Sequence, residues 1–92
     1  MNRIPIEPGR VVLSRAGRDE GRPFVVLRVE GEFAYTADGD LRRVESPKKK
    51  KLRHLRPTPE LFTSVPAILK DGQVPSNAEI RKLLINRPQT EG

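Results

Sequence analysis

The chain contains no cysteine and no tryptophan, and its 92 residues include a single histidine, His54. The absence of cysteine excludes disulfides, thiolate metal ligands and a cysteine nucleophile, and is typical of a reducing compartment. One histidine without any cysteine also argues against a zinc site. The other aromatic side chains are three phenylalanines and one tyrosine, too few to line the groove of a peptide-binding SH3 domain.

Long apolar runs and nucleotide-binding loops are also missing. No apolar stretch approaches the roughly 18 residues of a membrane span, and the N-terminus lacks the apolar segment of a signal peptide, so we expect a soluble, cytoplasmic protein. No Gly-rich loop of the Walker or Rossmann type is present. No serine stands in a motif that would make it a nucleophile with His54 as base. These absences predict a protein that is not an enzyme and uses no cofactor or small-molecule substrate.

Positive charge is what the sequence has in excess. The formal net charge is +6. All of it lies in the first two-thirds of the chain, because residues 1–58 carry 14 basic and 8 acidic side chains and residues 59–92 carry four of each. Between Arg42 and Arg56 there are eight basic residues against one acid, Glu45. A field focused in this way favours a polyanion as the binding partner.

Residues 9–58 have the pattern of a small β domain, preceded by an extended arm at residues 1–8. Short apolar runs alternate with glycine-containing turns, and the expected strands are residues 10–15, 24–29, 33–37, 41–44 and 52–55. Asp38-Gly39 is expected to form a type I′ hairpin turn, because such a turn needs positive φ at its central residues. Five short strands at this spacing predict a small barrel or sandwich.

Residues 59–92 have a helical pattern instead. Arg56-Pro57-Thr58-Pro59 is expected to end the barrel. The apolar positions of residues 60–70 share one helical face, with Pro66 expected to split or kink that helix. Ser76-Asn77-Ala78-Glu79 predicts a capping box at the start of a second helix. The apolar stripes of this extension are expected to cover the barrel; the alternative is a face kept open for a protein partner.

The segment from Gly9 to Val26, which contains three glycines, resembles a known family. Its successive motifs resemble a KOW motif: Gly9-Arg10-Val11-Val12, Ala16-Gly17-Arg18, Gly21-Arg22 and Val25-Val26. Further motifs follow in the same order as in the large-subunit ribosomal proteins of the archaeal and eukaryotic "L-fourteen-e" family and their small bacterial KOW-domain relatives. These motifs are Asp38-Gly39, Arg42-Arg43, Lys48-Lys49-Lys50 and His54-Leu55.

The resemblance implies a mainly β fold, a five-stranded SH3-like barrel of the KOW type with a short C-terminal helical extension. It also implies non-catalytic binding of structured RNA, usually the ribosomal RNA of the large subunit. Two other functions stay open. One is a protein-interaction module that acts through the C-terminal helix, and the other is a KOW domain that binds DNA or a transcription complex.

The candidate RNA-binding residues are mainly basic side chains, because phosphate contacts supply most of the affinity for nucleic acids. They are Arg15, Arg18, Arg22, Arg42, Arg43, Lys48, Lys49, Lys50, Lys51, Arg53 and His54. No catalytic or metal site is expected among them.

Each basic segment has an alternative role that the sequence leaves open. The run 48–51 is expected on a loop or exposed edge where all four lysines stay solvated, and it could instead serve only to protect a sheet edge. Asp19 and Glu20 could pair with the neighbouring arginines and make their loop a structural turn. Of Arg42 and Arg43, adjacent on an expected strand, one should point outward and one toward the other face.

The aromatic rings are expected to be mainly structural. Phe24 and Phe33 are expected in the core, and Phe62 between the helical segment and the barrel. Tyr35 is expected in cross-strand packing, with contact to a base or ribose as the alternative. With so few rings on which single-stranded bases could stack, the sequence favours recognition of RNA shape and backbone over base sequence.

Overall fold

Short β-branched and aromatic runs form most of the strands of the protein. The computed structural model describes residues 3–87. Its strands are β1 (Arg10–Ser14), β2 (Pro23–Glu30), β3 (Phe33–Ala37), β4 (Lys48–Lys51) and β5 (Leu55–Leu61), and its helices are α1 (Ser64–Lys70) and α2 (Asn77–Ile85). Two 3₁₀ turns, Gly17–Asp19 and Leu52–His54, lie before β2 and β5.

The strands form one antiparallel sheet in the order β4-β3-β2-β1-β5. The first four strands are neighbours in chain order, and β5 returns to pair with β1, as in the register pair Val12 and Pro57. Among the described residues no pairing joins β4 to β5, so the sheet is open and these strands are its two edges. The expectation of a mainly β fold with five strands and two helices is confirmed, whereas closure into a barrel is not.

Each face of the sheet buries its own apolar cluster, because successive side chains of a strand point to opposite faces. The cluster on one face consists of Val12, Phe24, Val26, Ala34 and Leu55, with Ile6 of the N-terminal arm packed against it. On the other face, Val25 packs with Val65 of α1 and Ile80 of α2. Both helical residues are fully buried, so the apolar stripes of the extension cover the sheet, as predicted.

The connection between β3 and β4 differs from the predicted hairpin. Residues 41–44 form no strand, and a loop at residues 38–47 leads directly to β4. The Asp38 Oδ1 atom accepts hydrogen bonds from the backbone N–H groups of Asp40 and Arg42, at 2.9 and 2.8 Å, which closes the loop as an Asx-type turn. All positive-φ residues of the described chain are glycines, so Asp38 does not adopt the expected type I′ conformation.

The last strand runs through the prolines that were expected to stop the sheet. An edge strand tolerates Pro57 and Pro59 because only one of its sides is paired. Between them, Thr58 is buried and donates its hydroxyl to the Val11 carbonyl at 2.8 Å. The strand expected at residues 52–55 is instead mostly a 3₁₀ turn that leads into β5.

The two helices illustrate one correct and one wrong prediction. The capping box of α2 is confirmed: the Glu79 N–H donates to Ser76 Oγ, and the Ser76 N–H donates to Glu79 Oε1, both at 3.1 Å. The split helix at Pro66 is wrong, because α1 begins at Ser64. Pro66 therefore lies in the first turn, where its missing N–H has no intrahelical acceptor to lose. Residues 88–92, the end of the expected extension, lie outside the described residues.

No helix within residues 3–87 combines the length and the hydropathy that a membrane crossing requires.

Candidate nucleic-acid interface

The lysine run forms β4, an edge strand, and its side chains alternate between the two faces of the sheet. Lys49 and Lys51 lie opposite Tyr35 and Phe33, whereas Lys48 and Lys50 lie opposite residues of the other face. Lys48, Lys49 and Lys51 are exposed. The run is therefore on an exposed edge, as predicted, and only some of its side chains share a face.

Lys50 is the exception to the expectation that all four lysines stay solvated. Its side chain is only 11% exposed. Its Nζ donates to Ser14 Oγ at 2.8 Å, lies 3.5 Å from Asp19 Oδ2 and lies 5.4 Å from the centroid of the Phe24 ring. Lys50 is thus a structural cation, because its charge and donors are already used inside the protein.

Asp19 anchors the loop at residues 15–22, which we call the glycine-containing loop, to distant parts of the chain. The carboxylate is buried and accepts a hydrogen bond from Arg42 Nη2 at 3.1 Å, in addition to its contact with Lys50. The alternative in which Asp19 pairs with arginines of its own loop is therefore wrong, because its partners are Arg42 and Lys50, and through them it still fixes the shape of the loop. Arg15 and Arg18 of the same loop stay exposed.

Three of the predicted arginines have acidic partners. Arg42 pairs with Asp19, Arg22 pairs with Asp38 at 3.4 Å, and Arg43 pairs with Glu45 at 3.1 Å. Arg42 and Arg43 lie on the loop after β3 and not on a strand, so the alternation expected for them does not apply. These ion pairs lower the charge that the three side chains present to an outside anion.

The 3₁₀ turn at Leu52–His54 brings further basic side chains next to the glycine-containing loop. Arg53 and His54 are exposed, and the backbone N–H of Arg15 donates to the His54 carbonyl at 2.8 Å. Arg56 on β5 is also exposed, and with Arg15 it lines a surface cavity of about 510 Å³. The sequence prediction missed Arg56 because it treated residues 56–59 only as a strand terminator.

The exposed cations of these three segments form what we call the basic surface. It consists of Arg15, Arg18, Lys48, Lys49, Lys51, Arg53 and Arg56, with His54 beside them. Within residues 3–87 none of the seven cations is in an ion pair. The Arg15–His54 hydrogen bond and the Lys50–Asp19 contact hold the segments together.

The aromatic rings divide into two groups. Phe24 is fully buried and Phe62 packs in the helix-covered cluster, as predicted. Phe33 was expected in the core but is only half-buried, with Lys49 Nζ 4.3 Å from its ring centroid. Tyr35 is half-buried in cross-strand packing, as predicted, and the guanidinium of Arg28 lies 4.0 Å from its ring centroid.

The Asp19 cluster should make the stability of the protein sensitive to acid. Burial raises the pKa of the Asp19 carboxyl, but the hydrogen bond and charge of Arg42 and the charge of Lys50 outweigh burial, so the pKa lies below its ordinary value. A lowered pKa stabilises the fold above the ordinary value, and that contribution is lost as the pH falls through the folded-state value. We expect Asp19→Asn to lower the urea midpoint by a constant amount above about pH 5, and the gap in midpoint from the wild type to narrow as the pH falls below the ordinary pKa of 3.8.

The control for this prediction is Glu20→Gln, which neutralises the next residue. Glu20 is exposed and has no ion pair with another described residue. This variant should follow the wild-type midpoint at every pH. A constant gap between Asp19→Asn and the wild type across the acid range would show that the carboxylate charge is not what stabilises the cluster.

The comparisons with known proteins leave the chain without a family assignment. No protein-family model and no curated protein matches it. Within the described residues there is also no group of three or more His, Asp or Glu side chains that could hold a metal ion. The site is therefore defined by its own geometry, a set of unpaired cations around two turns and an edge strand.

Proposed function

We propose that this protein binds structured RNA, and ribosomal RNA in particular, through its basic surface and without catalysis. The observation that carries the proposal is that seven exposed, unpaired cations lie on neighbouring segments that contact one another: the glycine-containing loop, β4, the 3₁₀ turn and β5. Phosphate oxygens need several Lys and Arg donors on one surface, because each contact alone is weak in water. The resemblance of residues 8–58 to KOW-domain proteins of the ribosome points to the same ligand and to a cytoplasmic location.

We further propose that the sheet is an open form of an SH3-like barrel of the KOW type. The order in which the last strand lies beside the first supports this assignment, as does the 3₁₀ turn directly before β5. The contact between Lys50 and Ser14 adds to it, because it joins β4 to β1 although two strands separate them in the sheet. Such a contact requires the sheet to curl strongly on that face.

Preference for RNA shape follows from where the cations lie. They come from two turns and from the edge strands β4 and β5, so they form an irregular surface suited to phosphates that are themselves irregularly placed, as in folded RNA. The contacts of the buried Asp19 with Arg42 and Lys50 hold the segments under this surface in place. Preorganised donors lose less entropy when they bind, which favours a fixed arrangement of phosphates over a flexible one.

The test is binding of the full chain to a folded ribosomal RNA fragment, measured by fluorescence anisotropy over a range of salt concentrations. If about four of the seven cations contact phosphates, the logarithm of the association constant should fall with the logarithm of salt with a slope of about −3. A matched DNA duplex should bind more weakly at the same salt. Equal affinity for DNA would favour the DNA alternative, and a flat salt dependence or no binding at low salt would refute the proposal.

A further inference from the structure

The outer part of the sheet at β2, β3 and β4 carries two aromatic rings in a cationic frame. Tyr35 and Phe33 are two residues apart on β3, so they project from the same face about 7 Å apart. In the register of the sheet, Tyr35 lies between Arg28 and Lys49, and Phe33 lies between Glu30 and Lys51. We call the side chains of Arg28, Tyr35, Phe33, Lys49 and Lys51 the aromatic platform.

Two cations of the platform lie over its rings, Arg28 over Tyr35 and Lys49 over Phe33. The Arg28 guanidinium lies 4.0 Å from the Tyr35 centroid, and its Nε donates to Glu30 Oε2 at 2.9 Å. The Arg28 side chain is nevertheless 57% exposed. The Glu30 carboxylate thus restrains a planar group that lies on an aromatic ring and is itself open to solvent.

Space for a ligand adjoins both rings. Tyr35 and Arg28 line a groove of about 800 Å³ between the sheet and α1, with Val44, Pro47 and Leu69 as apolar walls. Phe33 lines a second cavity of about 420 Å³ together with Lys51 and Arg53. Both volumes lie within the range of small-molecule sites, so each ring has room beside it for one planar base.

We propose that the aromatic platform binds two unpaired bases of the RNA by stacking, one at Tyr35–Arg28 and one at Phe33. This proposal rests on the proposed RNA binding and adds a single-stranded segment to its ligand. Aromatic rings and Arg guanidinium planes are the surfaces on which unpaired RNA bases stack. Lys49, whose ammonium lies 4.3 Å from the Phe33 centroid, can turn that group from the ring to the phosphate of a stacked nucleotide.

Charge continuity favours RNA over other occupants of this face. Lys51 and Arg53 belong both to the second cavity and to the basic surface. Although Glu32 also lines the second cavity, a strand of RNA that leaves the platform there passes directly between Lys51 and Arg53 to the basic surface. An apolar peptide would instead leave Lys49 and Lys51 without anionic partners at its edges.

The test compares two RNA probes that share one stem, a blunt duplex and the same duplex with a short unpaired extension. The wild type should bind the extended probe at least about tenfold more tightly than the blunt one, because stacking on an aromatic side chain is worth about that factor or more per base. Tyr35→Leu with Phe33→Leu should remove this gain and leave binding of the blunt probe unchanged. Tyr35→Phe, which keeps the ring, should retain it. Arg28→Lys should lose part of it, since it keeps the charge but removes the planar group.

A second readout is direct, because Tyr35 is the single tyrosine of a chain without tryptophan. Stacking of an unpaired base on this ring should quench the intrinsic emission with the extended probe and not with the blunt one. Equal affinity of the wild type for both probes would overturn the platform and leave the proposed RNA binding in place. Failure to bind either probe at low salt would overturn both.

Discussion

Replacement of Arg15, Lys51 and Arg53 by glutamine is expected to weaken binding of a blunt RNA duplex about a thousandfold at about 0.1 M salt. The three side chains are exposed cations from three neighbouring segments. Each phosphate contact releases close to one counterion, which is worth nearly a factor of ten at that salt concentration. The slope of the salt dependence should fall by two to three in magnitude in the same titration.

The control removes the same number of positive charges elsewhere. Arg43, Lys70 and Lys82 are exposed, and Arg43 is paired with Glu45 whereas Lys70 and Lys82 lie on the helices. Their replacement by glutamine should change the affinity for the blunt duplex by less than about threefold, since none of the three belongs to the basic surface and salt screens exposed charges that do not contact the ligand. Equal losses in both triple variants would mean that net charge, and not the basic surface, determines binding.

Replacement of Gly39 by alanine is expected to destabilise the protein by about 3 kcal/mol or more. Gly39 has a φ of +79°, a conformation that costs an L-residue about 1–2 kcal/mol. A Cβ atom there would also collide with the Asn77 carbonyl oxygen and approach Arg81 Cγ to 3.0 Å. The Gly39 carbonyl accepts a hydrogen bond from Arg81 Nη1 at 2.6 Å, so relaxation away from α2 would break a further contact.

Gly72→Ala is the matched control for this prediction. Gly72 has nearly the same backbone conformation, with a φ of +76°, but a Cβ atom there meets nothing within 4 Å. Gly72→Ala should lower the free energy of unfolding by only about 1 kcal/mol, the conformational cost of a positive φ for an L-residue. Thermal unfolding should place the midpoint of Gly39→Ala at least about 8 °C below that of Gly72→Ala. Equal midpoints would show that the loop at Gly39 can move away from α2 without loss of stability.

Local patterns predicted the elements whose residues interact mainly with near neighbours in sequence. The first three strands and the capping box at Ser76 follow from alternation and from side chains that bond within one turn. The lysine run at residues 48–51 was expected on a loop or exposed edge and not specifically as a strand, because four lysines offer no apolar face that would indicate one. The run pairs with β3, and this pairing depends on the path that the chain takes between the two segments, which their local sequences do not reveal.

The candidate site was predictable as a set of segments but not as a set of available charges. The sequence identifies Arg42 and Lys50 as cations, yet both form ion pairs with Asp19. This residue lies 23 residues before Arg42 and far from Lys50 in the chain. Such pairings depend on tertiary packing. The sequence analysis missed Arg28 for a related reason. Its proposed role depends on the Tyr35 ring, which lies opposite it on the neighbouring strand. The family resemblance and the RNA ligand stay predictions.

The position of β5 beside β1 has a consequence for how the chain folds. Strands β1 to β4 form a meander of neighbours, whereas the pairing of Ser14 with Leu55 joins residues about 40 positions apart. Closing so long a loop costs entropy before any contact repays it, so pairing of the two end strands is expected late in folding. During synthesis, β1 stays a free edge until Leu61 has left the ribosome. The polar side chains flanking β1, including Arg15, are then the ones that keep this edge from pairing with another chain.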